Sequence, residues 1–357
     1  MTPRRGRGAA RLRVLPAILL AALALAPVAA AQTTAAQDAA AQDAAARDAA
    51  AQDAAAQDAV LPYAGRLDLP VEIDTLGSPR SVAADVHTGE VFVADLDRDR
   101  VVIFGADGGF RFQIRGGDVF RAPRDVAVDP EGFLYLLASR GTREILLKVD
   151  FDGLPVAEIV PSGFPSDLPP PVLVSLALSP AGDRLYLLDS ANDRLWLADA
   201  TGAVLGHADL AEGLTAAQAD NLQIGHVDVY GDQVLVAIAS LGEIQVYDLD
   251  GGNQRKLGIK GTAPCQLGFP VAAARDAGGD YWIVDQQRML ILRWSPVGNR
   301  CVGEHWGFGG DPGWLYFPFD LALGPEGRVY VSQGYQGRVQ AYQAAEPAAR
   351  TAPREGP

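Results

Sequence analysis

The stretch Pro318-Phe-Asp-Leu-Ala-Leu323, followed after a turn at Gly327 by Val329-Tyr-Val-Ser332, shows the unit that decides the fold of this 357-residue chain. In this unit an apolar strand leads through a glycine turn to a second apolar strand, and a polar stretch then leads to a third. The unit occurs six times, and its first apolar residues are Val82, Val126, Leu176, Val227, Ala273 and Leu321. Because short strands must bury their faces against neighbouring copies, the repeat predicts a closed radial array.

The spacing of the six copies, between 44 and 51 residues, fits four short strands and three turns per unit. This length predicts an all-β fold, a six-bladed β-propeller of four-stranded blades. The last copy has no fourth strand after Tyr342, whereas a spare strand, Arg66–Ile73, precedes the first copy. We therefore expect this N-terminal strand to complete the last blade and close the ring, since an open ring would expose a sheet edge.

Both ends of the chain differ from the repeats. Residues 1–31 carry five arginines before an uncharged run and end in small residues, the order of a secretory signal peptide. Residues 32–60 form Ala/Gln/Asp pentads that leave no apolar stripe on a helix, which predicts a solvated linker. The propeller is expected over residues 61–343, and the Pro- and Ala-rich residues 344–357 are expected to be a disordered tail.

The N-terminal pattern predicts export to the periplasm or the extracellular space, with an uncleaved membrane anchor as the alternative. After cleavage no stable membrane span is expected. The formal net charge of −14 falls to about −19 when the five arginines are removed. This acidic balance argues against nucleic-acid partners, which require a basic surface.

The two cysteines of the chain, Cys265 and Cys301, predict one disulfide bond in an exported protein. The phase of the repeat places Cys265 in a loop between blades and Cys301 near the start of an outer strand. These positions leave open that the two lie on opposite faces, too far apart for a bridge.

The repeat phrases resemble those of NHL-repeat six-bladed β-propellers, an architecture shared with the TolB-like and gluconolactonase-like propellers. The closest copies are Gly307 to Val331 and Pro123 to Tyr135. The Asn/Asp-x-Arg-apolar phrase of the family recurs before Val101 and Leu195. The resemblance covers nearly the whole predicted domain and implies the fold, but propellers of this kind include both binding modules and enzymes.

Two catalytic groups of similar propellers differ from this chain at their site residues. Peptide-amidating lyases place zinc-binding histidines just after the motif proline, and the matching positions here are Arg80, Arg124, Val271 and Phe319. Gluconolactonase-like propellers begin with a Glu-Gly-Pro-x-Trp type phrase, which this chain lacks, and Glu72 is a poor substitute. The resemblance therefore does not carry either activity to this chain.

The residue before the first apolar position of each blade is expected on a ring near one mouth of the central channel. These residues are Ser81, Asp125, Ser175, His226, Ala272 and Asp320. The carboxylates and the imidazole of Asp125, His226 and Asp320 could together hold one divalent cation. The stronger interpretation is that the carboxylates accept hydrogen bonds from backbone amides and join the blades, so no cofactor is expected.

Aromatic residues crowd the connection between the fifth and sixth units beyond what the repeat requires. They are Trp306, Phe308, Trp314, Tyr316 and Phe317. Rigid aromatic rings on loops are favoured at binding surfaces. Trp306, Trp314 and Tyr316 are therefore candidate ligand- or partner-binding residues, whereas Leu315 and Phe317 are expected in the core.

From the sequence we expect an exported, non-catalytic binding or scaffold module whose partner is a protein or another envelope or extracellular ligand. A metal-dependent hydrolase or lactonase with its site in the propeller funnel is the first alternative. An accessory subunit of an envelope redox or transport assembly is the second alternative.

Overall fold

The computed structural model describes residues 61–344, and within them 24 strands form six four-stranded antiparallel sheets. Blade 1 contains β2 (Pro79–Ala84), β3 (Val91–Asp95), β4 (Arg100–Phe104) and β5 (Phe110–Arg115). Blade 2 contains β6 (Arg121–Val128), β7 (Leu134–Arg140), β8 (Arg143–Val149) and β9 (Pro155–Ile159). Blade 3 contains β10 (Leu173–Leu178), β11 (Arg184–Asp189), β12 (Arg194–Asp199) and β13 (Val204–Asp209).

The second half of the ring repeats the same order of strands. Blade 4 contains β14 (Ile224–Tyr230), β15 (Gln233–Ile238), β16 (Glu243–Asp248) and β17 (Asn253–Leu257). Blade 5 contains β18 (Pro270–Arg275), β19 (Tyr281–Asp285), β20 (Leu290–Ser295) and β21 (Arg300–His305). Blade 6 contains β22 (Asp320–Leu323), β23 (Arg328–Gln333), β24 (Arg338–Gln343) and, as its outer strand, β1 (Tyr63–Arg66).

Helical structure in residues 61–344 is limited to single turns. One short α-helix spans Ala216–Ala219. The 3₁₀ turns are Val71–Ile73, Leu96–Arg98, Ala239–Leu241, Pro325–Gly327 and Gly334–Gln336. In the described part of the chain there is no helix of the length and apolarity needed to cross a bilayer.

The innermost strand of each blade contacts the innermost strands of both neighbouring blades, including β22 against β2. The sheets therefore form a closed six-bladed β-propeller, as the repeat predicts. The core lies between adjacent blades, where the apolar faces of neighbouring sheets pack together. Large rings such as Trp196, Trp282 and Trp294 are fully buried there.

The ring is closed by an N-terminal strand, but this strand is not the predicted one. β1 pairs antiparallel with β24, with Tyr63 opposite Tyr342 and Arg66 opposite Gln340. The predicted strand Arg66–Ile73 is wrong because β1 ends at Arg66, and Val71–Ile73 forms a 3₁₀ turn instead. Pro70 precedes that turn and has no N–H to donate to a strand ladder, and the Val71 side chain is exposed.

The disulfide between Cys265 and Cys301 is present, with the two Cα atoms 5.4 Å apart. Cys265 lies in the connection that leads into blade 5, and Cys301 lies on β21, the outer strand of the same blade. The connection folds back against the outer strand, so the two cysteines do not lie on opposite faces and are close enough for a bond.

The predicted signal peptide and linker, residues 1–60, lie outside the described residues, as does the tail from residue 345 onward. One residue beyond the predicted end of the propeller at residue 343, the chain is still packed against blade 6. Ala344 is buried, and its N–H donates to the carbonyl oxygen of Gly327.

Candidate functional site

Four of the six residues that precede the first apolar position of each blade line the central channel: Ser81, Asp125, His226 and Asp320. Three of them offer ligand atoms that lie within 4.8 Å of one another: Asp125, His226 and Asp320. The Nδ1 atom of His226 is 3.9 Å from Oδ2 of Asp125 and 3.7 Å from Oδ1 of Asp320. The geometry therefore brings the predicted metal-ligand candidates together, and metal binding by them stays a prediction.

Asp125 is fully occupied by hydrogen bonds within the protein. Oδ1 accepts from the Ser81 hydroxyl at 2.6 Å and from the Val126 N–H at 2.9 Å. Oδ2 accepts from the Ser175 hydroxyl at 2.7 Å and from the Leu176 N–H at 2.8 Å. Because a carboxylate offers about four lone-pair positions, Asp125 has no free position for a metal ion.

The same hydrogen bonds continue around the channel and join five consecutive blades. The Ser175 hydroxyl in blade 3 accepts from the Val227 N–H in blade 4. Asp320 in blade 6 accepts from the Val82 N–H in blade 1 at 2.9 Å. Together with the bonds of Asp125, these contacts form a polar belt that links blades 6, 1, 2, 3 and 4. This arrangement supports the structural interpretation of the two aspartates.

Asp320 has more free acceptor positions than Asp125, because each of its oxygens accepts only one backbone N–H, from Val82 and from Leu321. Burial raises the pKa of Asp320 above its ordinary value. The neighbouring His226 lowers the pKa of Asp320, and the Asp125 carboxylate raises it. His226 is partly exposed to the channel, with a side-chain exposure of 20%.

A second ring lies two residues further along the innermost strands, where alternation turns side chains to the channel again. Five of its members are alanine and the sixth is Asp228; the alanines are Ala83, Ala127, Ala177, Ala274 and Ala322. One oxygen of Asp228 accepts from the Val229 N–H at 2.8 Å. Burial, followed by the nearby Asp320 carboxylate, raises the pKa of Asp228 to about 7.

The sequence reasoning did not select Asp228, although the signal was readable. Comparison of the equivalent positions in the six repeats shows one acid among five alanines.

Trp306, one of the three predicted binding residues, holds the ring closed. Its indole N–H donates to the carbonyl oxygen of Leu61 at 2.9 Å. Its ring packs against Tyr63 of β1 and Tyr342 of β24, with centroid distances of 6.4 and 5.7 Å. Through these contacts, Trp306 anchors the N-terminal segment to blade 6.

The other aromatic residues of this region form a partly exposed row, which we call the aromatic face. It consists of Phe308, Trp314, Tyr316, Phe317, Phe319 and Tyr335. Tyr316 contacts Phe308 at 5.8 Å and Phe317 at 5.1 Å between centroids. Tyr335, in the turn between β23 and β24, contacts Phe317 at 5.6 Å and Phe319 at 5.5 Å.

Arg80 and Phe319, at two of the positions that match the zinc ligands of the lyases, directly precede Ser81 and Asp320, which line the central channel. The Arg80 guanidinium stacks over the Phe319 ring at 3.9 Å, a cation–π contact between blades 1 and 6. Arg124 forms a 2.7 Å ion pair with Glu144. A guanidinium cannot bind a cation, so these residues favour an aromatic and basic contact surface over a metal site.

Of the predicted core residues in this connection, Leu315 is fully buried and Phe317 is only partly buried. Trp314 is 43% exposed, Phe308 is 65% exposed and Tyr335 is 72% exposed. The exposed rings of the face thus include Tyr335, which the sequence did not indicate because it lies in a different turn.

No protein-family model and no curated protein matches the chain. Among solved structures, the chain is similar to a structural genomics protein of unknown function from Bacteroides thetaiotaomicron VPI-5482, with a TM-score of 0.58 and 15% identity. The similarity covers 78% of this chain and 72% of that chain. At this level of identity the likeness shows the fold alone, a six-bladed β-propeller.

Proposed function

We propose that the protein is an exported, non-catalytic binding module of the NHL-repeat type, which holds a protein partner on the aromatic face. The observation that carries this proposal is the row of partly exposed rings from Phe308 to Tyr335, continued by Arg80, whose guanidinium stacks over Phe319. Aromatic residues and arginine are the side chains most enriched at protein interfaces.

The occupancy of Asp125 supports a binding module over a hydrolase. All four of its lone-pair positions accept hydrogen bonds, so a metal ion would have to break the belt that joins the blades. The short distances from His226 to Asp125 and Asp320 are the one observation that favours a metal-dependent hydrolase or lactonase. Metal analysis of the purified protein, before and after chelation, tests that second candidate.

The exposed rings allow a direct test of partner binding. Phe308→Ala and Tyr335→Ala remove rings that are 65% and 72% exposed, so both variants should fold. Each should weaken capture of a protein partner from envelope extract by about 30-fold, the equivalent of about 2 kcal/mol at an interface hot spot. Trp314→Ala extends the test to a third exposed ring of the face, which is 43% exposed.

The matched control is Phe151→Ala, because Phe151 is 71% exposed and lies in the turn between β8 and β9, outside the aromatic face. It should leave capture unchanged. Equal losses in the control and the face variants would contradict the proposal. So would a metal-loaded protein whose hydrolase activity disappears with His226→Ala while capture is unaffected by any face variant.

A further inference from the structure

A cavity of about 450 Å³ occupies the central channel. It extends from the ring of Asp125, His226 and Asp320 along the innermost strands to the first hairpin turns, including Val86 and His87 of blade 1. Val86 is exposed, so the cavity reaches solvent at this end. The size lies within the range of small-molecule sites and is large for a single ion.

The cavity opens to solvent at the end of the ring opposite to the aromatic face. Innermost strands start near the connections between blades and end at the first hairpins, and antiparallel strands alternate in direction. The aromatic face is built from such a connection and from the turn between β23 and β24, which lies at the same end. A ligand in the cavity would therefore leave the aromatic face free.

The polar groups of the cavity are acidic or neutral, apart from two histidines. Five aspartates line it: Asp85, Asp125, Asp129, Asp228 and Asp320. Neither lysine nor arginine is among the described residues that line it. A site with this sign of charge attracts cations and repels anions.

Most of these aspartates already have partners within the protein. Asp129 is paired with Lys148 at 2.9 Å. Asp85 accepts from the N–H of His87 and the hydroxyl of Thr88. Asp125 is saturated by the polar belt, whereas the second oxygen of Asp228 has no hydrogen-bond partner among the described residues.

Alanine at the other five positions of the second ring gives Asp228 an apolar surrounding. Once ionised, above its pKa of about 7, the Asp228 carboxylate attracts a cation more strongly than the same group in water, because water competes less between methyl groups. The methyl groups in turn offer apolar contact to the carbon skeleton of a ligand.

We propose that this cavity is a binding site for a small organic cation, an ammonium group on a compact apolar body, with Asp228 as the group that binds the charge. The alanine ring holds the apolar body, and Asp320 adds negative charge beyond Asp228. The inference is independent of the partner proposed for the aromatic face.

The test uses three organic cations of different shape: tetramethylammonium, pentylammonium and the diamine cadaverine. Titration calorimetry of the purified protein should give saturable 1:1 binding for at least one of them, and pentanol, the neutral analogue of pentylammonium, should not bind. Asp228→Asn should lower the affinity for the cation by about 10-fold or more, because a charge-assisted contact is lost. Asp228→Ala should fold, since five blades carry alanine at this position. It should lower the affinity for the cation further.

The control is Asp232→Asn, which removes the same charge from a side chain that is 82% exposed on the following hairpin. It should bind the cation as the unaltered protein does. The proposal is overturned if none of the three cations binds, or if Asp228→Asn and Asp232→Asn bind equally well. Binding of Ca²⁺ or Mn²⁺ that depends on His226 and excludes the organic cations would also overturn it.

Discussion

At the scale of single residues, Asp125 illustrates how one buried carboxylate can hold several blades. It accepts hydrogen bonds from Ser81 in blade 1, from Val126 in its own blade and from Ser175 and Leu176 in blade 3. Each donor is buried near the channel, so each would lose its partner at once if the carboxylate were removed.

Asp125→Ala is therefore expected to lower the free energy of unfolding by at least about 3 kcal/mol, since each buried donor left without an acceptor costs about 1–3 kcal/mol. Chemical denaturation in the presence of chelator measures this loss. Asp232→Ala, on an exposed hairpin, should have almost no effect. A full recovery of stability on adding a divalent cation to Asp125→Ala would contradict the structural role.

His305 is the residue whose titration should be visible in the stability of the protein. It lies on β21 against Trp282, and its Nε2 atom is buried without a hydrogen-bond partner among the described residues. Burial, with a smaller contribution from Arg293, lowers the pKa of His305 to about 4. The imidazole is therefore neutral in the folded protein at pH 7.

The unfolded protein takes up this proton near pH 6.5, before the folded protein does, so folding stability falls as the pH drops from 6.5 to 4. The contribution of His305 to this loss is about 3 kcal/mol. In His305→Phe the loss between pH 7 and pH 4.5 should be smaller, by up to about 3 kcal/mol, in urea titrations at each pH. Parallel pH profiles of the two proteins would show that His305 does not titrate as described.

Trp306, which composition selects as a candidate binding residue, has a structural role in the ring. Its backbone has a positive φ of 64°, a conformation that costs about 1–2 kcal/mol for a residue with a Cβ. The Leu61 hydrogen bond and the packing against Tyr63 and Tyr342 offset this cost. Crowding of aromatic residues in the sequence could not separate this anchor from the exposed rings of Phe308 and Tyr335.

At the scale of elements, the connection that leads into blade 5 is tied to that blade by the Cys265–Cys301 disulfide. The two cysteines are 36 residues apart in sequence, so the bond closes a loop that contains the three inner strands of the blade. Arg288 strengthens the same junction, because its guanidinium donates to Glu304 on β21 and to the carbonyl oxygen of Gln266.

Replacement of both cysteines by serine is expected to lower the free energy of unfolding by about 3–4 kcal/mol, the loop-entropy value for a loop of this length. The measurement is denaturant unfolding of the double variant beside the oxidised parent. Addition of reductant should produce the same loss in the parent and no loss in the variant. A reductant effect on the variant would show that the disulfide is not its origin.

At the scale of the whole molecule, how well the sequence predicts the fold depends on whether a feature repeats. Six copies of one pattern predict the blades and the ring, because every strand must alternate with the pleat. The closing strand occurs once, so no second copy indicates its register, and Pro70 interrupts the predicted range Arg66–Ile73. The candidate sites differ in the same way. The polar ring of Asp125, His226 and Asp320 was predictable from the repeat phase. The aromatic face was not, because it joins turns that are distant in sequence.

Ring closure by β1 should be visible in thermal stability. Deletion of residues 61–66 removes the pairing with β24 and the buried Leu61. We expect the melting temperature to fall by roughly 10 °C or more, since a large domain loses about 2 °C for each kcal/mol. Deletion of residues 32–58 is the control and should change the melting temperature little. Equal effects of the two deletions would contradict closure by β1.

The pairing of β1 with β24 also determines how the propeller responds to mechanical force. Tyr63 and Tyr342 face each other at the end of the pair where both chain ends leave the sheet. Tension between the two ends therefore pulls the strands apart from that end and loads the ladder hydrogen bonds one after another, as in unzipping. Strands that leave from opposite ends would be sheared, and all their bonds would resist together. A pull along the chain should accordingly open the ring at blade 6 at low force, while the other five blades are still folded.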